Sequence, residues 1–445
     1  MSVAGAMPAR WAAAGAWFAP GFAALLCLGP VVAQKAPSAA ELEGFAARYL
    51  LVDGRTAAGH AERRNLLGAL AGAPPLDAAQ LTAWQARIQK LWSKQRTLEK
   101  AGDQWFWPED KKSKAQKRGR YLVGGETKKP KGLALALHGG GLGSGDAGSA
   151  ASAYGPALAK LGWVMVAPEV LEKTEHGWTD SGTEEFVLDL VDAALRTWKI
   201  DPDHVYFVGH SMGGYGSWTL GAHHADRVAA IAPSAGAPTP IFSHAGGPIV
   251  DVVEGVIPSL RNVFVSIYQS LDDPQVPPGP NRAAARLLGE AAQRWGGFAH
   301  DYWEVDGRGH AEPPGGHEAQ LRKIAERVRT PVPERLVWQP VLRWKRQFHW
   351  LWWDQPVFGA TLVADLDRAA NRVRIQCDKP TDGLYVLLDG RVLDLAKDVE
   401  VEVGGQQVFR GRAVPSLATL VRTSDHPDPK LQFVAEVPAF TSSAK

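Results

Sequence analysis

The segment Gly209-His210-Ser211-Met212-Gly213, followed by Gly214, carries the strongest chemical signal in the chain. Small residues two before and two after a serine suit a sharp strand-to-helix turn that lifts its hydroxyl clear of the backbone. The apolar run Val205 to Val208 directly precedes it, and a helix-compatible stretch follows. A serine hydroxyl so placed becomes a nucleophile once a base removes its proton, and the chemistry that follows is acyl transfer. A glycine-rich turn with an idle serine is the bland reading, and it leaves the strand and helix on either side unexplained.

Such a serine needs an acid, a base and an oxyanion hole, with the acid and then the histidine later in the chain. The strand-like run Asn262 to Tyr268 is followed by the loop Gln269 to Pro277, which contains Asp272 and Asp273. Asp273 is the favoured acid and Asp272 the alternative; a simple Asp-Pro turn is the non-catalytic reading. The run Asp301 to Val305 leads into Asp306-Gly307-Arg308-Gly309-His310. His310, on this glycine-flanked loop, is the expected base, with His317 as its rival. His210 is expected to point away from the nucleophile, and His223 and His224 to be surface residues at a helix end. The loop His138-Gly139-Gly140-Gly141 after the strand Gly132 to Leu137 offers backbone N–H groups to an oxyanion. Gly140 is the first choice for one donor and Met212 for the other. No Lys-Ser or Lys-Thr follows the glycines, as a phosphate cradle would require.

The stretch from Ile200 to Trp218, with its Gly-His-Ser-Met-Gly-Gly core, resembles the α/β-hydrolases grouped as polyhydroxybutyrate-depolymerase-like, feruloyl-esterase-like or predicted peptidases. The resemblance runs from about Lys131 to Arg327. It implies a serine hydrolase that cleaves carboxylic esters through an acyl-enzyme, on a small-molecule or polymeric ester, with no cofactor and no metal. The same machinery cleaves amides, so a serine peptidase is an alternative. A polymer-binding protein with an idle hydrolase fold is another, and the complete set of Ser211, Asp273, His310 and glycine loop argues against it.

The elements that must position these residues alternate between strand and helix from 120 to 330. The expected fold class is therefore α/β, an α/β-hydrolase core with a mostly parallel sheet and helices on both faces. Residues 34–119 read as a helical N-terminal unit, broken into two pieces at Pro74 and Pro75. Ser181 and Glu184 have the spacing of a capping box at the start of a helix running to Trp198. Residues 331–445 read as a linker and a small all-β domain, with two-residue hairpin turns at Asp389-Gly390 and Gly404-Gly405. Trp350, Trp352 and Trp353 suit core packing better than an aromatic platform for sugar rings. Trp178 is a candidate wall of the substrate pocket.

Composition narrows the remaining classes. The 445 residues carry a formal net charge of +2, which gives no broad basic face for nucleic acid. The basic run Lys111 to Arg120 reads as a solvated linker. Of the two cysteines, Cys27 falls in a leader expected to be removed, so Cys377 has no disulfide partner and no second thiolate for a metal. In that leader, residues 1–33, Arg10 precedes the apolar stretch Gly21 to Leu28, and Val31 and Ala33 suit cleavage after Ala33. An uncleaved anchor is the alternative. The expected location is secreted or periplasmic, and no later stretch is long and apolar enough to span a membrane.

Overall fold

The computed structural model describes residues 37–109, 115–174, 176–239 and 255–440; the expected leader, and Lys111 and Lys112 of the basic run, lie outside them. Eight strands make the central sheet: β1 (Gly102–Trp107), β2 (Arg118–Gly125), β3 (Gly132–Leu137), β4 (Trp163–Pro168), β5 (Val205–His210), β6 (Ala230–Ser234), β7 (Phe264–Ser270) and β8 (His300–Val305). They lie in the order β1-β2-β4-β3-β5-β6-β7-β8. Pairing is parallel from β4 across to β8, and antiparallel where β1 meets β2 and β2 meets β4. Every residue of β3 is buried. Such all-apolar strands are what a parallel sheet covered on both faces requires.

Helices α1 (Ala39–Leu51), α2 (Ala57–Ala71) and α3 (Ala78–Ser93) precede the sheet. Then come α4 (Ala147–Leu161), α5 (Thr183–Trp198), α6 (Met212–His223), α7 (Gly279–Trp295), α8 (Gly316–Ile324) and α9 (Leu417–Arg422). The period of two along β3 separates two cores. Ala134 and Ala136 pack with Tyr154 and Leu158 of α4 and with Leu321 and Ile324 of α8. Leu133, Leu135 and Leu137 pack with residues of α5, α6 and α7 on the other face. Small alanines on one side and leucines on the other let the two layers approach to different depths.

The C-terminal strands are β9 (Arg335–Trp338), β10 (Gln347–Phe348), β11 (Leu351–Trp353), β12 (Leu362–Asp367), β13 (Arg372–Cys377), β14 (Leu384–Leu388), β15 (Asp398–Val403), β16 (Gln406–Arg412) and β17 (Ala435–Pro438). They form a sheet β10-β11-β14-β17 and a sheet β16-β15-β13-β12-β9. Trp350 and Trp353 are fully buried between them and Trp352 nearly so, in one apolar core continuous with that of α5 to α7. That is the packing role expected for these tryptophans. The N-terminal helices bury Leu42, Tyr49, Trp84 and Ile88 against Leu417, Leu420 and Val421 of α9. Cys377 is half-buried at the end of β13, and burial pushes its thiol pKa up.

Local expectations fared unevenly. Gly404 and Gly405 do join β15 to β16, both at positive φ as a two-residue turn requires. Asp389-Gly390 is not a hairpin: β14 pairs with β11 and β17, and the Asp389 side chain instead takes the Arg391 N–H in a local turn. The first helical piece is two helices, because Asp53-Gly54 interrupts it. The box at Ser181 and Glu184 does not form either. Helix α5 starts after Gly182, whose N–H bonds Glu185, while Glu184 is drawn inward by two histidines. Strands β1 and β2 were not foreseen, and Arg118 to Arg120 of the basic run belong to β2.

Candidate active site

Ser211 stands between the end of β5 and the start of α6 with φ 59° and ψ −125°. A residue with a side chain held there stores on the order of 1–3 kcal/mol of backbone strain, so its surroundings must over-determine it. They do: Ser211 N–H donates to the Ser234 carbonyl at 2.9 Å, and the Ser211 carbonyl accepts from Tyr215 N–H at 3.1 Å. The flanking glycines are required by close approach. A Cβ on Gly209 would collide with the Gly213 carbonyl, and one on Gly213 with the Leu137 carbonyl. Helix α6 therefore begins directly against the β3 loop, with Met212 as its first residue.

The loop after β7 carries Asp273, the expected acid. Asp273 is buried, and its Oδ2 lies 2.8 Å from His310 Nδ1. A carboxylate only accepts, so Nδ1 carries the proton, and in the neutral ring Nε2 keeps its lone pair. Asp273 Oδ1 accepts from the N–H groups of Gln275 and Val276, at 2.9 Å each, which fixes its direction. Asp272, next door, has another partner set. Its Oδ1 accepts from the Ser270 hydroxyl at 2.5 Å, Arg308 N–H at 3.1 Å and Gly309 N–H at 2.9 Å. Those hydrogen bonds hold its carboxyl below the usual carboxylate range. Asp272 thus ties the histidine loop to the strand end, while Asp273 holds the imidazole itself.

A ladder of buried amides connects the acid loop to the nucleophile helix. Trp218 Nε1 of α6 donates to the Gly236 carbonyl and to Asn281 Oδ1, Asn281 Nδ2 donates to Gln269 Oε1, and Gln269 Nε2 donates to the Val276 carbonyl. Every member is paired, which makes such a network rigid.

The glycine loop after β3 is pinned by His138. Its Nε2 accepts from Val170 N–H at 3.2 Å, so its Nδ1–H is the donor to the Gly139 carbonyl at 2.7 Å. Burial lowers its pKa, which keeps the ring neutral in that role. Within this loop Gly139 lies against Ser211: a Cβ there would lie 3.2 Å from Ser211 Cβ. Gly140 follows at φ 129°, against Ser144 and Gly145. Trp178 does not line a pocket. It is fully buried, and its indole N–H donates to the His138 carbonyl behind the loop.

Four histidines departed from their readings. The His210 ring lies 4.9 Å from that of His310 and 5.7 Å from that of His317, with its Nδ1 3.0 Å from the Ser234 hydroxyl. Burial and the neighbouring His310 push its pKa down to about 4. It thus packs behind the presumed base rather than away from the site, and only its place beside Ser211 in the sequence hinted at this. His317 does not reach Asp273; it is buried, stacked on Tyr154 at 4.1 Å, and pushed down to about 3 by burial and His210. His223 and His224 are not surface residues. Their Nδ1 and Nε2 lie 2.8 and 2.9 Å from Glu184 Oε1. Burial opposes the Glu184 charge, but the two imidazoles outweigh it and pull its pKa down to about 2. His224, itself pushed down to about 4 by burial, is a neutral donor in this cluster.

Among the described residues no group of three or more His, Cys, Asp or Glu is arranged to hold a metal ion, and no helix is long and apolar enough to cross a membrane. The chain matches no protein-family model. Over 116 residues it is 38% identical to the protein named "Putative esterase NocK" of Nocardia uniformis subsp. tsuyamanensis, a stretch covering 23% of this chain and 32% of that one. The match thus spans about a third of that relative's length. A thermostable esterase of known structure overlaps 51% of this chain and 63% of its own at 19% identity, with a TM-score of 0.37. The structure named "putative dipeptidyl aminopeptidase IV from Bacteroides ovatus ATCC 8483" overlaps 51% of this chain and 36% of its own at 10% identity, with a TM-score of 0.39. A mostly parallel sheet covered by helices on both faces, with Ser211 on a sharp strand-to-helix turn after a central strand and the Asp273 and His310 loops after β7 and β8, is an α/β-hydrolase fold.

Proposed function

We propose that this chain is a secreted or periplasmic serine hydrolase that cleaves carboxylic esters. The observation that carries the reading is the 2.8 Å bond between His310 Nδ1 and the buried Asp273, made on loops that flank the strained Ser211. In the proposed reaction Ser211 Oγ attacks the acyl carbonyl and His310 Nε2 takes its proton. Asp273 keeps the imidazole in that tautomer and stabilises the imidazolium. The N–H groups of Met212 and Gly140 receive the developing oxyanion. His310 then protonates the departing alkoxide, and water repeats the steps on the acyl-serine to release the acid. The preference for esters over amides is supported by the name of the Nocardia relative, which covers only the matched stretch.

The test joins an active-site label to a substrate panel. A fluorophosphonate should label wild type at Ser211 and leave Ser211→Ala unlabelled. p-Nitrophenyl esters of rising acyl length, feruloyl esters, acetylated xylan, polyhydroxybutyrate and peptide amides should then show turnover on esters. Labelling elsewhere, or turnover confined to the amides, overturns the reading. Mass analysis of the mature protein tests the leader, with cleavage expected after Ala33.

A further inference from the structure

A second histidine sits at the serine turn, and the proposed reaction gives it no part. His210 ends β5 and pairs in register with Ser234 of β6. Its Nδ1 lies 3.0 Å from the hydroxyl of Ser234, which is fully buried. The backbone carbonyl of His310 is the other hydrogen-bond partner of the ring. A carbonyl only accepts, so the ring nitrogen turned to it carries the proton. Ser234 takes Nδ1, which leaves Nε2–H for the carbonyl. In the neutral ring Nδ1 then accepts, and the Ser234 hydroxyl donates. Burial first, and then the neighbouring His310, push the His210 pKa down to about 4, so the ring stays neutral beside a charged His310.

The contact matters because His310 lies on a loop. Asp272 Oδ1 takes the N–H groups of Arg308 and Gly309 at 3.1 and 2.9 Å. The Tyr268 hydroxyl donates to the Glu312 carbonyl at 3.3 Å, and Asp273 holds His310 Nδ1. Each of these partners belongs to β7 or to the loop that follows it. They fix the histidine against its acid and leave its distance from Ser211 open. His210 reaches the loop from β5, the strand on which Ser211 stands. Its ring also lies 4.9 Å from that of His310, at 47° between the planes. One side chain thus meets both the backbone and the imidazole of the expected base.

We propose that His210 is a positioning residue, which holds the His310 backbone where its Nε2 can take the Ser211 proton, and that Ser234 sets the tautomer His210 needs for this. The inference rests on the serine-hydrolase reading and adds to it a side chain that touches neither substrate nor reacting atoms.

The test follows p-nitrophenyl acetate turnover by the full chain. Wild type must turn over the ester and take a fluorophosphonate at Ser211; failure there removes the hydrolase reading and this inference with it. With wild type active, His210→Phe keeps a flat ring and loses both hydrogen bonds. It should lower kcat on the order of tenfold to a hundredfold, as a displaced catalytic group does, and leave KM within about twofold. His210→Gln, whose amide still reaches the His310 carbonyl, should recover most of that loss, and the shorter His210→Asn should not. Ser234→Ala should lower kcat by about threefold or more, the scale of one hydrogen bond. Added to His210→Phe it should cost nothing further, since the hydroxyl acts only through the ring. If His210→Phe does not fold, the same cycle is run on His210→Gln, which has no Nδ1 for Ser234 to hold. Wild-type kcat in His210→Phe, a loss carried by KM, no recovery with His210→Gln, or additive losses at the two positions would overturn the role and leave the hydrolase reading standing.

Discussion

Two clusters in this molecule use the same chemistry for different ends. In one, Asp273 meets His310 at 2.8 Å; in the other, Glu184 meets His223 and His224 at 2.8 and 2.9 Å. Both carboxylates are buried. The difference is in what surrounds the imidazoles. His310 sits on a loop after β8, part-exposed, its ring 4.9 Å from that of His210, the residue before the strained Ser211. His224 is 1% exposed and packs against Trp344. A carboxylate–histidine pair is thus not in itself a site. It becomes one where the far nitrogen can reach a nucleophile and a substrate.

The largest expected effect separates the clusters by activity. Ser211→Ala should lower ester turnover by up to about a million-fold and leave the melting temperature in place. Near wild-type turnover by a folded Ser211→Ala protein would remove the nucleophile assignment, and the contrast with it. Asp273→Asn comes next, at on the order of ten-thousand-fold in kcat, because an amide no longer enforces the right imidazole tautomer. If Asp272→Asn costs more than Asp273→Asn, the two aspartates exchange roles.

Acid should act on the histidines His210, His224 and His317. His210 and His224 are pushed down to about 4 and His317 to about 3, mainly by burial, from an unfolded value of 6.5. Between those values the unfolded chain binds more protons than the folded one. Stability is therefore fully present above about pH 6.5 and falls as pH drops toward 4, by up to roughly 1.4 kcal/mol per pH unit for each histidine. Melting temperatures of Ser211→Ala between pH 8 and 4.5 check this without interference from turnover. A flat profile would show that these imidazoles are not held neutral.

Glu184→Gln probes the other cluster. It should cost about 2 kcal/mol of stability, the scale of a hydrogen bond to a charged group, and leave kcat within about twofold. A large loss of turnover with the melting temperature kept would mean that this cluster also serves the reaction. Asp272→Asn is the smallest change, on the order of tenfold in turnover. Its carboxylate positions the Arg308 and Gly309 N–H groups and never touches the imidazole.

The placing of the candidate residues was legible in the chain because its signals are local. A glycine pattern after an apolar strand marks the elbow, and Asp273 and His310 each follow a strand within a few residues. All-apolar β3 and the apolar run Val205 to Val208 of β5 announce a covered parallel sheet by composition alone. Strand β1 at the sheet edge and its neighbour β2 escaped because few residues of each are buried (Phe106 in β1, Gly119, Tyr121 and Val123 in β2) and they lie beside a run of charge. The choice between Asp272 and Asp273 escaped certainty for another reason: neighbours on a tight turn point in different directions. That direction is set by the N–H groups of Gln275 and Val276 for one and by those of Arg308 and Gly309 for the other.

Partners distant along the chain were out of reach. Nothing near His223 and His224 in sequence says that Glu184 lies beneath them. Nor does any period place Leu417 and Leu420 of α9 under the N-terminal helices. A residue's type and the spacing around it settle which backbone shape and which reaction it can serve. Its charge state and its neighbour depend on what packing brings within about 3 Å. Burial then decides, since the cost of an unpaired charge or polar group rises steeply once water is excluded.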